Sequence, residues 1–459
     1  MLVSGLLYTL IPLISLVSAA SFKPRREDRG THQDEEQILS FSLSQEYKLE
    51  DAAFPDNPSQ TKLQVTDIVD KTIPTSIISL KAKPTTIWRP RDAGAVQYAR
   101  SRSLKHSESV PVEWEPIEII GPDVADRHTL GQLARMTGNA YALPGQKNWY
   151  DIDSAWNTSF PFGWEDAADG FRGHIFVSPM NSTVILSIKG TTLQGPTSKK
   201  DKFNDNLLFS CCCAYVDFSW IFKTVCNCHH KKFQCDNTCL TEALVEDSLF
   251  YNVGVNLISN LTAMYPKSTI WLVGHSLGGA LASLLGTTFG LPAVAFESPG
   301  ERLAAHRLHL PLPPLTSSYP FSPPLLDGSP PPSPNAPVTH VYHTADPIPQ
   351  GICTGVGSAC VAGGFALETR CHLGKSIVYD TVTKLGWKAD VRKHPIREII
   401  INVVEKIWDI GLGWEVDERG MIRDVPAARV EEECVDCFKW EFGNFKKKAD
   451  LLGRTGTLP

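Results

Sequence analysis

Ser276 lies in a sequence pattern that can turn a serine into a nucleophile. Glycines stand two residues before and two residues after it, which gives the pattern G-x-S-x-G. Residues 269–273 form a short apolar run typical of a buried strand, and residues 281–289 continue at helical spacing. A strand that turns sharply into a helix holds such a serine in a strained conformation. The pattern therefore predicts Ser276 as a nucleophile, with the backbone N–H of Leu277 as an oxyanion donor.

A serine hydroxyl also needs a histidine base that is oriented by a carboxylate. In sheets of this type the acid and then the base follow the serine along the chain, each after the carboxyl end of a strand. Asp346 fits the acid because it follows the apolar run 338–343 in a proline-braced turn, and Glu297 is the rival carboxylate. His394 fits the base because it lies in a short polar link before a helix that begins with proline, and His372 is the rival base. The sequence favours Asp346 and His394 and leaves both rivals open.

A second oxyanion donor is predicted at the end of another strand. Residues 183–189 form an apolar strand that runs into a glycine followed by Thr191 and Thr192. A backbone N–H at such a position can face the substrate carbonyl, and a small hydroxyl can add a hydrogen bond. Thr191 is therefore a candidate oxyanion residue, with a plain turn containing two threonines as the alternative.

These candidate residues need a framework that brings strand ends together. Residues 172–177 and 183–189 predict a hairpin, and residues 240–264 predict a helix that crosses back over the sheet. Residues 291–296 and 338–343 predict two further strands. Strands that alternate with helices in this way predict an α/β fold with a mostly parallel central sheet.

Residues 193–239 hold seven of the twelve cysteines within a stretch rich in aromatic and aliphatic side chains. Cys226, Cys228, Cys235 and Cys239 could assemble a zinc site with neighbouring histidines, but their spacing fits no common zinc pattern. Disulfides are the favoured interpretation. The apolar side chains predict either core or a lid that contacts lipid. A C-x-x-C pair near the end of the chain also predicts disulfide partners.

Composition excludes some classes of function. The chain has 459 residues, of which 42% are hydrophobic and 20% charged, as is ordinary for a globular protein. Its net charge of −6, without a dominant basic block, disfavours nucleic acid as a partner. Eleven prolines within residues 311–337 predict a surface insertion, because such a segment cannot form a central strand or a long helix.

Residues 1–21 include an uncharged apolar run that is long enough to span a bilayer. The run predicts either a membrane anchor or a cleaved signal peptide. Three N-glycosylation sequons, at Asn157, Asn181 and Asn260, predict a lumenal location for the rest of the chain, and the many cysteines fit an oxidising compartment. The basic residues that follow the run oppose this orientation by the positive-inside rule.

Several blocks of sequence resemble a known family. They are VGHSLGGALA from residue 273, HTADPIP from residue 343 and KGTT from residue 189. Two blocks that contain cysteines, CHLGK from residue 371 and EECVDCFKW from residue 432, are more particular. Together these blocks resemble the fungal-type (class 3) triacylglycerol lipase family and, within it, autophagy-related lipases of the fungal vacuole.

This resemblance implies a fold and a set of residue roles. The fold is an α/β-hydrolase (lipase) fold, with Ser276 as nucleophile, Asp346 as acid, His394 as base, and Thr191 and Leu277 as oxyanion donors. The implied substrates are carboxylic esters of membrane lipids, both phospholipid and triacylglycerol. No cofactor and no metal are expected.

The resemblance also implies a location and a division of the chain. A type II membrane anchor at 1–21 would carry a lumenal domain through the ER, the Golgi and endosomal multivesicular bodies to the vacuole. A spacer with accessory strands (22–110) precedes the lipase domain (111–442), which contains a lid-like insertion at 193–239, and a tail follows (443–459). A serine peptidase or another esterase of the same fold, and a non-enzymatic cysteine-rich binding protein, are the alternatives. The sequence does not identify a protein partner.

Overall fold

A computed structural model describes part of the chain. The described residues are 37–41, 45–49, 63–67, 78–152, 159–164, 170–178, 181–214, 225–247, 249–315, 332–354, 358–406 and 413–445. They belong to one unit, Glu36–Pro459. The predicted anchor (1–21), Asn157, residues 316–331 of the proline-rich insertion and the end of the tail lie outside the described residues. Among the helices that the structure describes, none combines the length and the apolar character that crossing a bilayer requires.

The strands follow one another in chain order. They are β1 (Gln37–Phe41), β2 (Gln45–Leu49), β3 (Leu63–Asp67), β4 (Ile78–Pro90), β5 (Trp114–Pro122), β6 (Ser159–Phe162), β7 (Gly173–Val177), β8 (Thr183–Ile188), β9 (Gln234–Asp236), β10 (Thr269–His275), β11 (Ala293–Phe296), β12 (Val338–His343), β13 (Lys375–Tyr379), β14 (Glu415–Val416), β15 (Ile422–Arg423) and β16 (Glu441–Gly443).

The helices lie between these strands. They are α1 (Ala95–His106), α2 (Arg127–Asn139), α3 (Ser198–Phe209), α4 (Asn237–Asp247), α5 (Leu249–Met264), α6 (Leu277–Phe289), α7 (Arg302–Arg307), α8 (Ala359–Gly363), α9 (Thr381–Leu385) and α10 (Ile396–Ile399), with a 3-10 turn at Val391–Lys393 and a π turn at Ile400–Val404.

The central sheet has seven strands in the order β13-β12-β11-β10-β8-β7-β6. The four pairings from β13 to β8 are parallel, and the two pairings among β8, β7 and β6 are antiparallel. The predicted α/β fold with a mostly parallel sheet is therefore confirmed, as is the hairpin of β7 and β8, which β6 extends to the edge of the sheet. Parallel strands place their carboxyl ends at one edge of the sheet, where polar residues that follow them can meet.

Both faces of the sheet are covered by apolar side chains. Along β10, Ile270 and Leu272 point into one core with α6, while Trp271 and Val273 point into a second core with α2. This alternation follows from the two-residue period of a strand. Helix α2 begins after Asp126, whose carboxylate accepts the Thr129 N–H at 2.8 Å as an N-cap. A sheet buried on both faces is rigid, and it can hold functional groups at its edge in fixed positions.

The accessory strands join the central body. Strand β4 pairs with β5 along nine residue positions, so the boundary drawn at residue 110 passes through a sheet. The indole N–H of Trp271 in β10 donates to the Ile120 carbonyl of β5 at 3.0 Å. Strand β16 pairs with β9, which places residues on both sides of the boundary drawn at 442 in one ladder. The predicted segment 22–110 therefore supplies strands to the same unit as the lipase domain, and β16 runs across the boundary at 442.

Six disulfides account for all twelve cysteines. The pairs are Cys211–Cys437, Cys212–Cys235, Cys213–Cys226, Cys228–Cys239, Cys353–Cys360 and Cys371–Cys434. The disulfide interpretation is confirmed, and the C-x-x-C cysteines pair with distant partners rather than with each other. Within the insertion 193–239, helix α3 buries Leu207, Leu208 and Phe209 in the core. This part of the stretch predicted as core or lid is core.

Candidate active site

Ser276 occupies the sharp turn between β10 and α6. Its backbone has φ 57° and ψ −130°, a conformation that costs an L-residue free energy. A Cβ on Gly278 would lie 2.2 Å from the Ile188 carbonyl oxygen, so glycine is needed for the close approach of α6 to β8. The Ser276 N–H donates to the Phe296 carbonyl at 2.9 Å, which fixes the turn against β11. The turn therefore presents the serine side chain at the carboxyl edge of the sheet.

Three predicted residues meet at this edge. His394 Nε2 lies 2.9 Å from Ser276 Oγ, and His394 Nδ1 lies 2.6 Å from Asp346 Oδ2. Because a carboxylate only accepts, Nδ1–H donates to Asp346, and Nε2 is left to accept from the serine hydroxyl. The Asp346 side chain is fully buried, and the His394 side chain is 15% exposed. The arrangement has the geometry of a base that is oriented by a buried acid.

Asp346 is held as an anion by its neighbours. Burial alone would raise the pKa of this carboxyl, but His394 outweighs that effect and holds the pKa below its ordinary value. The Ile348 N–H also donates to Asp346 Oδ1 at 3.0 Å. Since β12 ends at His343, the acid is placed by the turn that follows a central strand, as the sequence predicted.

His394 is positioned by a residue that the sequence analysis did not single out. His275, the last residue of β10, has Nε2 2.9 Å from the His394 carbonyl oxygen and Nδ1 2.8 Å from the Tyr141 hydroxyl. The carbonyl can only accept, so Nε2–H donates to it and the tyrosine hydroxyl donates to Nδ1. Burial lowers the pKa of His275 to about 3, so this ring is neutral. Its place directly before the serine was the available signal, but its partners lie far away along the chain.

The predicted oxyanion residues flank the serine. Leu277 is the first residue of α6, where backbone N–H groups lack partners within the helix. Thr191 lies just beyond β8, and its hydroxyl donates to the Asp205 carboxylate. Burial raises the pKa of Asp205 to about 7. Asp205 itself is a residue that the sequence reasoning missed, because nothing in helix α3 marks it as facing Thr191.

A buried ion pair fixes the loop that carries Thr191. Lys189 Nζ lies 2.7 Å from Asp201 Oδ2 and donates to the Gly190 carbonyl at 2.7 Å. The same Asp201 oxygen accepts the Thr192 N–H at 3.0 Å. A Cβ on Gly190 would lie 2.2 Å from the His275 carbonyl oxygen, so only glycine lets this loop pass so close to the serine turn. The ion pair therefore holds one side of this loop, here called the oxyanion loop, and the serine turn packs against its other side.

A cavity of about 630 Å³ opens onto Ser276 and His394. Its wall is mainly apolar and includes Leu193, Ile348, Phe365, Leu367, Val391 and Ile396. The Cys353–Cys360 disulfide forms part of the same wall. Leu193 is 73% exposed, and Ile352 beside the disulfide is 53% exposed. A long apolar group can therefore lie along the cavity with a polar end next to the serine.

The two rivals from the sequence lie elsewhere in the hydrogen-bond network. His372 Nδ1 lies 2.9 Å from Glu431 Oε1, and its Nε2 lies 3.0 Å from the Ser298 carbonyl oxygen. Both nitrogens therefore face acceptors, and none is left for a serine hydroxyl. Glu297 accepts the His343 N–H at 3.2 Å and lies beside Asp346 rather than beside a histidine base. The structure thus places His394 next to Ser276 and Asp346 next to His394, and places neither rival in these positions.

Two groups of potential metal ligands occur among the described residues, and the ligand atoms within each group lie close together. They are Cys213, Cys226 and Cys228, and Glu301, His340 and His372, each with its ligand atoms within 4.8 Å of one another. The three cysteines are all bonded in disulfides. In the second group, each histidine nitrogen faces a protein hydrogen-bond partner. A cation there would have to displace those bonds.

Two of the three predicted glycosylation sites can be located. Asn181 lies in the turn between β7 and β8, and Asn260 lies on helix α5, both with exposed side chains. Exposure is what modification of a sequon requires. Glycosylation at both remains a prediction.

The fold and the site define a class of protein. A mostly parallel sheet, a serine at a strand-to-helix turn, and an acid and a histidine after later strands are the features of an α/β-hydrolase. Residues 216–291 match the family described as Lipase (class 3).

Curated relatives give the family. A protein of Cryptococcus neoformans var. neoformans serotype D (strain B-3501A), named "Putative lipase ATG15", is 47% identical over 384 residues, which cover 72% of this chain and 70% of the relative. A protein of the same name from Mycosarcoma maydis is 40% identical over 409 residues, covering 80% and 76%. The chain belongs to this ATG15 family of class 3 lipases.

Solved structures of fungal lipases align with part of this chain. A triacylglycerol lipase from Penicillium expansum covers 58% of this chain and 83% of its own, with 15% identity and a TM-score of 0.30. Lipase II from Rhizopus niveus covers 55% and 80%, with 17% identity and a TM-score of 0.27. These scores are too low to support a residue-by-residue superposition, so the fold assignment depends on the sheet and on the family.

Proposed function

We propose that this chain is a serine lipase and phospholipase that hydrolyses carboxylic esters of membrane glycerolipids. The observation that carries the proposal is the hydrogen-bonded series Asp346, His394 and Ser276, which opens onto an apolar cavity. The series supplies an activated nucleophile, and the cavity suits an acyl chain. Membership in a lipase family supports the same reaction.

The reaction proceeds through an acyl-enzyme. His394 Nε2 takes the Ser276 proton as Oγ attacks the ester carbonyl, and Asp346 stabilises the imidazolium that forms. The backbone N–H groups of Thr191 and Leu277 hold the negative charge on the tetrahedral oxygen. His394 then gives its proton to the leaving glycerol oxygen. Water attacks the acyl-enzyme with His394 again as base, which releases the fatty acid and restores the serine.

The position of the apolar residues supports a lipid surface as the source of substrate. Leu193 and Ile352 are exposed beside the cavity. An acyl chain of a membrane lipid could pass from the bilayer into the cavity without crossing water. We therefore propose membrane phospholipid and triacylglycerol as substrates.

The proposed place of action is the lumen of the vacuole and of the endosomal compartments that lead to it, where the enzyme would lyse autophagic and multivesicular-body membranes. Six disulfides fit an oxidising lumen, and the ATG15 relatives support a role in autophagy. A type II anchor in residues 1–21 would hold the body there. Protease protection of the body in intact vesicles, with a mobility shift on deglycosylation, tests this orientation. Digestion from the cytosolic side would contradict it.

The activity is tested by incubating the purified full-length protein with mixed vesicles of phospholipid and triacylglycerol. Mass spectrometry should identify free fatty acids together with lysophospholipid and diacylglycerol. The matched control is Ser276→Ala, which keeps the fold and should release none of them. Release of no product by the wild-type protein, or equal release by both proteins, would overturn the proposal.

A further inference from the structure

Two buried carboxyl groups meet behind the catalytic histidine. Glu297 follows β11 directly, and Asp346 follows the neighbouring parallel strand β12. Both side chains are fully buried and lie within hydrogen-bonding reach of each other. Glu297 also has φ 45°, a left-handed backbone conformation that is uncommon for a glutamate. The proposed mechanism gives this second carboxyl no role.

Counting hydrogen-bond donors shows which carboxyl carries a proton. Asp346 receives His394 Nδ1–H at 2.6 Å and the Ile348 N–H at 3.0 Å. Glu297 receives only the His343 N–H, at 3.2 Å on Oε1, and its Oε2 has no hydrogen-bond donor among the described residues. Two carboxylates in contact would both be acceptors, so one of them must be protonated to form a bond. The group with fewer donors, Glu297, is the one that holds the proton.

The ionisable groups around Glu297 do not neutralise it. His343 Nε2 lies 3.7 Å from Glu297 Oε1, but Nε2–H donates to the Lys393 carbonyl at 3.1 Å. Burial lowers the pKa of His343, so this ring is neutral. The Lys393 ammonium pairs with Glu398 at 3.1 Å instead. The ionisable groups on the surrounding elements are His275 at the end of β10, Tyr342 and His343 in β12, Asp346 in the loop after it, and Lys393 and His394 before α10, while α6 carries none.

The directions in which the two pKa values are shifted agree with this count. Burial, and then the neighbouring Asp346 charge, raise the pKa of Glu297 well above its ordinary value. The pKa of Asp346 moves in the opposite direction. This is the pattern of one proton shared by two carboxyls, with the charge on the partner that faces the histidine.

We propose that Glu297 is a positioning residue that acts as a neutral acid, donating its proton to Asp346, and that the site works only while that proton is in place. This inference rests on the proposed function. When Glu297 ionises, the bond between the carboxyls breaks and a second negative charge appears beside Asp346. Without that bond the Asp346 carboxylate is no longer held toward His394 Nδ1, and the ring loses the orientation in which Nε2 faces the serine hydroxyl. Activity is therefore confined to pH values below the ionisation of Glu297, which suits an acidic compartment.

The test is the pH dependence of acylation at Ser276. The rate of Ser276 labelling by a fluorophosphonate, and kcat/KM for a soluble short-chain ester, are measured from pH 4 to pH 10 on the full-length protein. The wild-type profile should be a bell, with an alkaline limb while circular dichroism still reports a folded protein. Glu297→Gln keeps a donor for Asp346 that cannot ionise, so its alkaline limb should move up by about one pH unit or more, or vanish. Glu297→Ala removes the donor and should lower the labelling rate at every pH by about tenfold.

A matched control is Glu301→Gln, which changes another fully buried glutamate that contacts His340 rather than Asp346. Its profile should keep both limbs of the wild-type bell. A wild-type plateau that extends across the alkaline range, or an alkaline limb in Glu297→Gln identical to that of the wild type, would overturn the inference. The wild-type profile decides the matter even if Glu297→Gln fails to fold. Absence of any labelling or hydrolysis by the wild-type protein would instead defeat the proposed function.

Discussion

Two clusters of histidine and carboxylate side chains lie at the same sheet, and only one of them can act on a substrate. The proposed catalytic cluster, called the catalytic cluster below, is Ser276, His394 and Asp346. The buried cluster is Glu301, His340, His372 and Glu431. Both contain imidazoles bonded to carboxylates at 2.6 to 3.0 Å. The residue types are nearly the same, so the difference in function has to come from geometry.

The difference lies in what faces the second nitrogen of each ring. His394 Nε2 faces a serine hydroxyl, which donates, whereas His372 Nε2 faces the Ser298 carbonyl, which accepts. Both His372 nitrogens must therefore carry protons, and this ring is an imidazolium that cannot take a proton from a nucleophile. Burial alone would lower the pKa of His372, but Glu431 and Glu301 outweigh it and raise the pKa to about 9.

The buried cluster stabilises the connection to the end of the chain. Glu431 accepts from Tyr342 at 3.0 Å and from Ser376 at 2.7 Å, which lie on neighbouring central strands. The Cys371–Cys434 disulfide joins the segment before β13 to the segment that carries Glu431. A histidine–carboxylate pair thus serves chemistry where an apolar cavity reaches it, and serves folding where backbone groups close it off.

The largest expected effect separates the two histidines by activity. His394→Ala should lower kcat about a million-fold, because the serine loses its base, while circular dichroism should still report a folded protein. His372→Ala should leave kcat per folded molecule within about threefold, since this ring has no path to the serine. Steady-state hydrolysis of a short-chain ester checks both. A loss of kcat in His372→Ala comparable to that in His394→Ala would remove the distinction.

The second effect is on stability, where His372→Ala should have a larger effect than His394→Ala. His372→Ala leaves the half-buried Glu431 carboxylate without its imidazolium partner, so the free energy of unfolding should fall by about 1.5–3 kcal/mol. Urea denaturation followed by fluorescence measures this change. Glu431→Gln should also lower the free energy of unfolding. Equal stability of the wild type, His372→Ala and Glu431→Gln would contradict a stabilising role for this ion pair.

The third effect is the pH dependence of stability. The folded pKa of His372 lies above its unfolded value, so its contribution is complete below about pH 6.5 and is lost as the pH rises through about 9. The loss should be on the order of 3 kcal/mol. The pKa of Glu431 is shifted far below its ordinary value, so its contribution is lost only as the pH falls below about 4.5. Unfolding free energies measured between pH 4.5 and pH 9 should therefore decline on the alkaline side, and His372→Gln should flatten that decline.

The smallest effect comes from a change beside the catalytic cluster that leaves Ser276, His394 and Asp346 in place. Thr191→Val deletes the hydroxyl that bonds Asp205, which loosens the oxyanion loop and should lower kcat by about tenfold to a hundredfold. Thr191→Ser keeps the hydroxyl and should restore most of the rate. A kcat for Thr191→Val equal to that of the wild type would show that the backbone alone sets the loop.

The sequence predicted the parts of this comparison that local pattern determines. The serine turn, the strand ends that carry Asp346 and Thr191, and the link that carries His394 all follow from short motifs and their order. Side-chain partners far apart in sequence could not be predicted, because nothing local distinguishes them. Tyr141 bonds a histidine 134 residues away.

The same limit applies to the carboxyls and the cysteines. Glu297 and Asp346 were rivals on the sequence, and only the packing of β11 beside β12 makes them partners. The disulfides were expected, but their pairing was not, since one of them joins residues 226 positions apart. The boundary at residue 110 was taken from the family resemblance, whereas β4 and β5 pair across that point and belong to one unit.

The central claim is that Ser276 carries the acyl group during hydrolysis. The most direct measurement is rapid acid quenching of the full-length protein during turnover of an activated ester, followed by peptide mapping by mass spectrometry. The account predicts one acyl adduct, on the peptide that contains Ser276, and none in Ser276→Ala. An adduct on a different residue, or turnover by Ser276→Ala at the wild-type rate, would contradict it.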